Sequence, residues 1–510
     1  MNATKYALLL LLVGLVGYIL FRPVENSEPI QARTRVDAEK LDLRLRAIYE
    51  ADMIADPIAR CRNYPAAEGF DWPPELIDHL CRTLGKPPWD QAEIYSLLDD
   101  GNFEELEELI SESTEQYFSR RISEFKPYQF FNYFHDYGPW IERVTLAWTS
   151  TNPQSAYAKL ASAIFLKASA ERIRGGRSIR QLGDASDRFR QLIGQSNRLV
   201  EDAIQIDPRL MPAYNLRIMN SLYESDAEAL NWLQKGLAVD PDSYVLRSEY
   251  LNRLQPQWYG STEAMDAFVN DSKPHVRNNP NMLLLNGRVL AVQGRSLWAM
   301  DKTREALVLF YKALALAPTN WLLKVAAEAE RELGNDIQAF SLLSQISRYS
   351  RDSADTEITR ASMLLEFSEF VWAEHILREV IRNNPYEERA HSNLSYTLKR
   401  DMRFAEALKA NQSALQFNPE NLYAHKEIAW LTLYRVRNPD LAKIHTDRIL
   451  EIDPENYHGW LYRADYLRDT GGEPLLDAIR NFLRYVDRAD PDMQSSISAM
   501  ESYLQSHGQP

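Results

Sequence analysis

With 510 residues the chain is long enough for two or three ordinary domains, or for one long solenoid with an accessory domain. Charged residues at 25% and hydrophobic ones at 45% are the proportions of a folded protein, and 19 glycines are too few for a glycine-punctuated β architecture. The net charge of −14 sets the whole-molecule field against nonspecific nucleic-acid binding, so no nucleic-acid partner is expected.

A short tail, 1–5, is followed by Tyr6 to Phe21, YALLLLLVGLVGYILF, 16 residues without a charge. As a helix this run would reach about 24 Å, slightly less than a hydrocarbon core of ~30 Å, with Lys5, Tyr6, Tyr18 and Arg22 at the interfaces. It ends Tyr-Ile-Leu-Phe-Arg-Pro rather than in a small-x-small cleavage pattern, which predicts an uncleaved transmembrane signal anchor at 6–21 seated in a lipid bilayer. Arg22, Arg33 and Arg35 count toward a cytoplasmic body, whereas a very short tail before the apolar run is the layout of an export anchor. The two cysteines, Cys61 and Cys81, are the even count expected of one disulfide, with two buried free thiols as the alternative.

Residues 22–40 mix Pro, Ser, Glu and Arg without apolar periodicity and read as a linker. From 41 to 187 the spacing predicts an N-terminal helical domain. Leu41 to Ile58 is apolar-periodic, WPP at 72–74 opens a helix, and DDGN at 99–102 turns between two more. The aromatic run YQFFNYFHDYGPW at 128–140 reads as a packed corner between helices before it reads as a stacking surface. After a helix from Ala156 comes RIRGGRSIR, whose Arg172, Arg174, Arg177 and Arg180 form a candidate anion-binding loop. The plainer reading of these arginines is an exposed helix end that complements the dipole.

From 188 to 491 the chain is periodic. Helix-ending prolines stand at Pro208, Pro241, Pro280, Pro318, Pro385, Pro419, Pro454 and Pro491, with adjacent gaps of 33 to 39 residues and one double gap of 67. Twelve residues before these prolines stand Ala229, Ala306, Ala373, Ala407 and Ala442, and five before stand Ala203, Gly236, Ala313 and Ala414. Ala339 places a unit in the double gap whose proline is lost near Arg351. Small residues let two helix backbones approach, and a proline past the helix end cannot continue it. The array resembles the tetratricopeptide repeat. The resemblance implies an all-α solenoid of about seven or eight stacked helical hairpins, closed by a capping helix and tail at 492–510. The unit at 242–280 has Phe268 and His275 at the small positions, which predicts a splayed hairpin.

Over roughly 60–270 the phrases CRNYP, WPPELIDHLC, LLDDGNFEELEELI, ERIRGG, AIQIDPRLMPAY and PQWYGSTEAMDAF occur in an order similar to a bacterial domain of unknown function, family 4034, that precedes tetratricopeptide arrays. That likeness implies a bacterial protein and no activity. With the anchor it predicts a single-pass protein of the bacterial inner membrane, its soluble part in the periplasm rather than the cytoplasm.

The nine histidines are dispersed, none in a His-Glu-x-x-His pattern, and the cysteines lack Cys-x-x-Cys spacing, so no metal site is expected. Nucleophile elbows, phosphate loops and dinucleotide fingerprints are missing, so neither catalytic residues nor a cofactor is assigned. His135-Asp136 and Tyr259-Gly260-Ser261 are the nearest to polar constellations, and Ser261 reads as a helix cap. The favoured function is a membrane-anchored scaffold mediating protein–protein interaction in the assembly of an envelope complex. A protein or peptide partner would lie on the concave solenoid face, on Arg389, Asn393 and Tyr396 and on Lys426 and Trp430 of the next unit. The alternative is an enzyme or small-ligand-binding domain at 60–200 with the array recruiting its substrate.

Overall fold

The computed structural model describes residues 42–507, apart from 68, 71, 83–88, 90, 121, 136–137, 176, 178–180, 259 and 350–353. The expected tail, anchor and linker at 1–5, 6–21 and 22–40 lie outside the described residues. Among the described residues every regular element is a helix, and no helix is long and apolar enough to cross a membrane.

The N-terminal helices are α1 (Leu43–Asp52), α2 (Pro57–Asn63), α3 (Pro74–Arg82), α4 (Gln91–Asp100), α5 (Phe103–Phe118), α6 (Lys126–Phe130) and α7 (Pro139–Thr151). Antiparallel pairs follow: α8 and α9 (Ala156–Arg174, Ala185–Ile206), α10 and α11 (Met211–Asn220, Asp226–Val239), α12 and α13 (Tyr244–Arg253, Thr262–Ser272). Then come α14 and α15 (Arg288–Trp298, Thr303–Leu316), α16 and α17 (Asn320–Glu332, Asp336–Tyr349), and α18 and α19 (Ala354–Glu366, Phe370–Asn383). The last pairs are α20 and α21 (Glu388–Arg400, Phe404–Phe417), α22 and α23 (Leu422–Tyr434, Pro439–Ile452), and α24 and α25 (Tyr457–Leu467, Gly472–Tyr485). A final helix, α26 (Gln494–His507), buries Ile497 and Met500 on the last pair and turns a polar exterior to solvent.

Local chemistry sets the hairpin boundaries. Asp207, Asp240, Asn384, Asn418 and Asp453 each precede a proline, which excludes the helical region for them, and all hold ψ between 87° and 94°. Their own N–H groups still donate to the carbonyl four residues back, so each second helix stops with its last donor satisfied. Ser225, Ser243, Thr319, Asn421 and Asn438 cap the next helices through their side-chain oxygens. Ala203, Ala229, Ala306, Ala313, Ala339, Ala373, Ala407, Ala414 and Ala442 are all fully buried. Gly294 fills the small position of α14, where a Cβ would stand 2.7 Å from the Phe310 ring.

The hairpin at 242–280 is splayed as its sequence predicts. Phe268 packs on Tyr250 with ring centroids 5.1 Å apart, and the chain doubles back so tightly that a Cβ on Gly260 would strike the Leu254 backbone. The following first helix is divided: Pro280–Leu285 is a 3-10 segment and α14 begins only at Arg288. The position near Arg351, where a proline was expected to be lost, lies outside the described residues.

Two boundaries differ from the sequence reading. The partner of α9 is α8, so helix pairing begins at Ala156 and crosses the expected limit at 187. The region 41–187 also shares its core with the array: Leu45, Ile48, Leu76 and Leu80 belong to the same buried cluster as Leu314, Leu343, Leu364 and Trp372. Its chain visits the ends of successive hairpins. Glu115 pairs with Arg209 at 2.7 Å, Tyr117 and Arg120 with Asp240, and Glu124 accepts from Asn279 and Asn281 at 2.8 Å. Trp72 Nε1 donates to the Leu314 carbonyl at 2.6 Å, and Gln345 and Arg348 donate to the carbonyls of Pro65 and Cys61. Tyr386 closes the series by donating to Asp99 at 3.0 Å. The apolar run expected as one helix over Leu41 to Ile58 is broken at Met53–Asp56, where Asp56 caps α2.

Candidate partner-binding cleft

The helices α18, α20 and α22 are the first helices of three successive hairpins. On α20 the buried residues are Ala390, Ser392, Leu394, Ser395, Thr397 and Leu398. Arg389, Asn393, Tyr396 and Arg400, spaced four, three and four apart, form the opposite stripe. That stripe floors an open cleft of about 660 Å³. Ser362, Leu365 and Glu366 of α18 form one wall, and Asn421 and Tyr423 at the start of α22 form the other.

The cleft is organised by its own polar bonds. Asn393 donates to the Arg389 carbonyl at 2.8 Å and accepts from Ser362 Oγ at 3.3 Å, which fixes its amide across two helices. Arg389 bonds Glu387 at 2.9 Å and Asp355 at 3.2 Å, and these contacts strengthen its hold on the proton. Asp355 also takes Lys324 at 2.6 Å, and that bond with Arg389 outweighs burial to lower its carboxyl pKa. Glu366 is paired with Arg331 at 3.0 Å. Tyr396 accepts from Arg400 at 3.1 Å.

The structure therefore brings Arg389, Asn393 and Tyr396 into one site. Lys426 and Trp430 lie further along α22, beyond the lining at Tyr423. Trp430 is half-buried between Lys399 Nζ (4.9 Å) and Arg435 (5.1 Å), and Lys399 pairs with Glu427 at 2.6 Å. Residue-by-residue reading missed Arg400, Tyr423, Asn421 and Glu366. Extending the spacing of Asn393 by seven residues would have found Arg400.

The other candidates resolve into local roles. Arg177 folds back to donate to the Ile173 carbonyl at 2.7 Å and the Arg174 carbonyl at 3.3 Å, capping the end of α8. Arg172 is exposed, Arg174 is half-buried, and Arg180 lies outside the described residues. In the aromatic run Phe130, Phe131 and Phe134 are enclosed with Trp148, Val144 and Ile164, so those rings are interior packing. Burial, with Lys167 nearby, pushes the His135 imidazole down to about 4, and Asp136 and Tyr259 lie outside the described residues. Ser261 caps α13 by accepting from Ala264 N–H at 3.1 Å. Cys61 of α2 and Cys81 of α3 are joined by a disulfide with Cα atoms 5.6 Å apart. Among the described residues no group of three or more His, Cys, Asp or Glu side chains is placed to hold a metal ion.

Stacked antiparallel helix pairs with buried alanines at a repeat of about 34 residues make this chain an α-helical solenoid, the architecture that its resemblance to the tetratricopeptide repeat implies. No protein-family model and no curated protein matches the sequence, so the likeness to family 4034 gains no support there. Among solved structures, MamA from Desulfovibrio magneticus RS-1 is similar to 34% of this chain over 97% of its own, at 17% identity and a TM-score of 0.31. PilW, a type IV pilus biogenesis factor, is similar to 41% of this chain over 98% of its own, at 14% identity and a TM-score of 0.36. YrrB, described as a tetratricopeptide-repeat protein with an unusual peptide-binding site, is similar to 39% of this chain over 97% of its own, at 15% identity and a TM-score of 0.31.

Proposed function

We propose that the chain is a membrane-anchored scaffold that takes an extended segment of a partner protein on the first-helix face at 354–434. One observation carries this reading: the cleft crosses three successive first helices and presents the exposed charged side chains Glu366, Arg389 and Arg400 above a partly buried floor. The opposite, second-helix side of the neighbouring hairpins is covered by the chain's own N-terminal helices, which leaves the first-helix side for a partner. The test is recovery of partners from membranes of the native host with Arg389→Gln and Asn393→Ala introduced together. Lower recovery with an unchanged thermal midpoint supports the site, and unchanged recovery counts against it.

The anchor at 6–21 rests on its sequence, and with it a role in assembling an envelope complex. The order of phrases over 60–270 supports a bacterial origin, and the disulfide favours the periplasmic side, because such bonds persist in oxidising compartments. Retention of the protein in the membrane after alkaline extraction tests the anchor. Labelling of Cys61 and Cys81 after reduction from outside the inner membrane tests the side; a body reached only from the cytoplasm would reverse it.

A further inference from the structure

We infer that the segment held in this cleft is acidic, with an internal Asp or Glu carboxylate seated on Arg400. The inference rests on the cleft being the partner site and adds the chemistry of the partner. Three charged side chains line the cleft, and two are already balanced within the chain. Arg389 is held by Asp355 and Glu387, and Glu366 by Arg331. Arg400 is exposed, and what it meets is neutral: the Tyr396 hydroxyl at 3.1 Å and the rings of Phe370 and Tyr396 at 5.7 and 5.9 Å. A guanidinium stays protonated at any physiological pH, so this is a fixed positive charge that meets no carboxylate among the described residues. The two rings and the one hydroxyl bond orient the group while leaving most of its N–H donors unused, and a carboxylate is the acceptor whose paired oxygens fit that fork.

The wall-to-wall direction argues for a passing segment rather than a chain end. Helix axes packed about 10 Å apart put α18 and α22 about 20 Å from each other, the reach of about six extended residues. Arg400 lies at the C-terminal end of α20, and Tyr423 supplies a phenol on the far wall. That phenol is 38% exposed and, as an ordinary tyrosine hydroxyl, is free to donate to an acceptor on the same segment.

The experiment uses the full chain in detergent micelles and two fluorescent eight-residue peptides blocked at both ends, one alternating Glu and Ala and one alternating Gln and Ala. The Glu peptide is expected to bind at least tenfold tighter than the Gln peptide. Arg400→Gln should bring the two within twofold, and Arg400→Lys should keep part of the preference. Both substitutions fall on an exposed side chain and should leave the thermal midpoint unchanged. Equal binding of both peptides to the unaltered chain, with hydrogen exchange slowed at 389–400, overturns the acidic assignment and leaves the cleft standing. Binding of neither peptide also overturns it, while the Arg389→Gln, Asn393→Ala recovery experiment separately decides whether the cleft binds a partner. A Glu peptide that binds only with a free C-terminus overturns the internal-carboxylate assignment.

Discussion

Arg360 and Asp52 form an ion pair 2.5 Å long across 308 residues of sequence, with both side chains wholly enclosed. Arg360 also bonds Glu357 at 2.8 Å, Ser344 at 3.1 Å and the Tyr64 hydroxyl at 3.3 Å, while Trp372 donates to Asp52 at 3.1 Å. Burial works against the guanidinium charge, but Asp52, Tyr64 and Glu357 outweigh it and hold the proton. The pair locks α1 onto the junction of two hairpins, so the N-terminal region and the array fold as one body there.

Asp52 and Glu357 share the buried guanidinium, so removing one member of the group should cost more than removing all three charges. Asp52→Ala is expected to lose about 3–5 kcal/mol, and Asp52→Leu with Arg360→Met and Glu357→Gln to lose much less. Urea unfolding measures the cost, and hydrogen exchange at 43–63 locates it. An Asp52→Ala protein with unchanged exchange there would remove the anchoring role.

The disulfide closes a loop of twenty residues between α2 and α3, which in the chain-entropy model contributes about 3 kcal/mol. Reduction should therefore expose 64–73 to protease before the array yields, although Arg348 still holds the Cys61 carbonyl and Trp72 the Leu314 carbonyl. Equal cleavage rates with and without reductant would show that those two bonds suffice.

Two glycines inside helices should respond in opposite directions. Gly294→Ala gains helix propensity of about 1 kcal/mol, but its methyl meets the fully buried Phe310 ring at 2.7 Å, and overpacking of about 1–3 kcal/mol should win. Gly194→Ala on α9 meets nothing nearer than the Arg198 guanidinium at 3.9 Å and should raise stability by up to about 1 kcal/mol. Thermal midpoints of the two variants check the signs.

His425 and His445 face each other through their Nδ1 atoms at 2.8 Å, and His425 Nε2 bonds the Pro419 carbonyl at 3.0 Å. With both rings neutral, His425 Nε2–H donates to the Pro419 carbonyl and His445 Nδ1–H donates to His425 Nδ1. Burial, then His425, pushes His445 down to about 3. Burial with Arg448 lowers His425 against the pull of Pro419, Glu420 and Glu451. Both folded values lie below the unfolded 6.5, so the unfolded chain binds more protons and stability falls as pH drops below about 6.5. The thermal midpoint should decline from pH 7 to pH 5, less steeply in His445→Phe. His135 and His458, each lowered to about 4, add to the decline in both proteins, so the difference between the slopes isolates the pair. Parallel slopes would dismiss it.

The repeat was legible because its signals are local. Ala407, Ala414 and Pro419 sit at fixed offsets, and each acts within one hairpin by allowing close approach or ending a helix. The candidate site was legible in part for the same reason. Arg389, Asn393 and Tyr396 follow from helix phase, whereas Tyr423 and Glu366 belong to the cleft only because neighbouring hairpins stack at a particular offset.

Sequence by itself determined the helical class, the hairpin period, the small-residue contacts and the splayed unit at 242–280, since each depends on residues within about forty positions of one another. Tertiary structure decided where the N-terminal helices go and which charges remain free. Asp52 and Arg360 read in sequence as ordinary surface residues, because charged side chains are almost never fully buried unless paired, and their pairing spans 308 positions with no spacing rule to announce it. Arg400 reads the same way. Only the packed structure separates an arginine held by carboxylates, such as Arg360, from one that meets none among the described residues, such as Arg400.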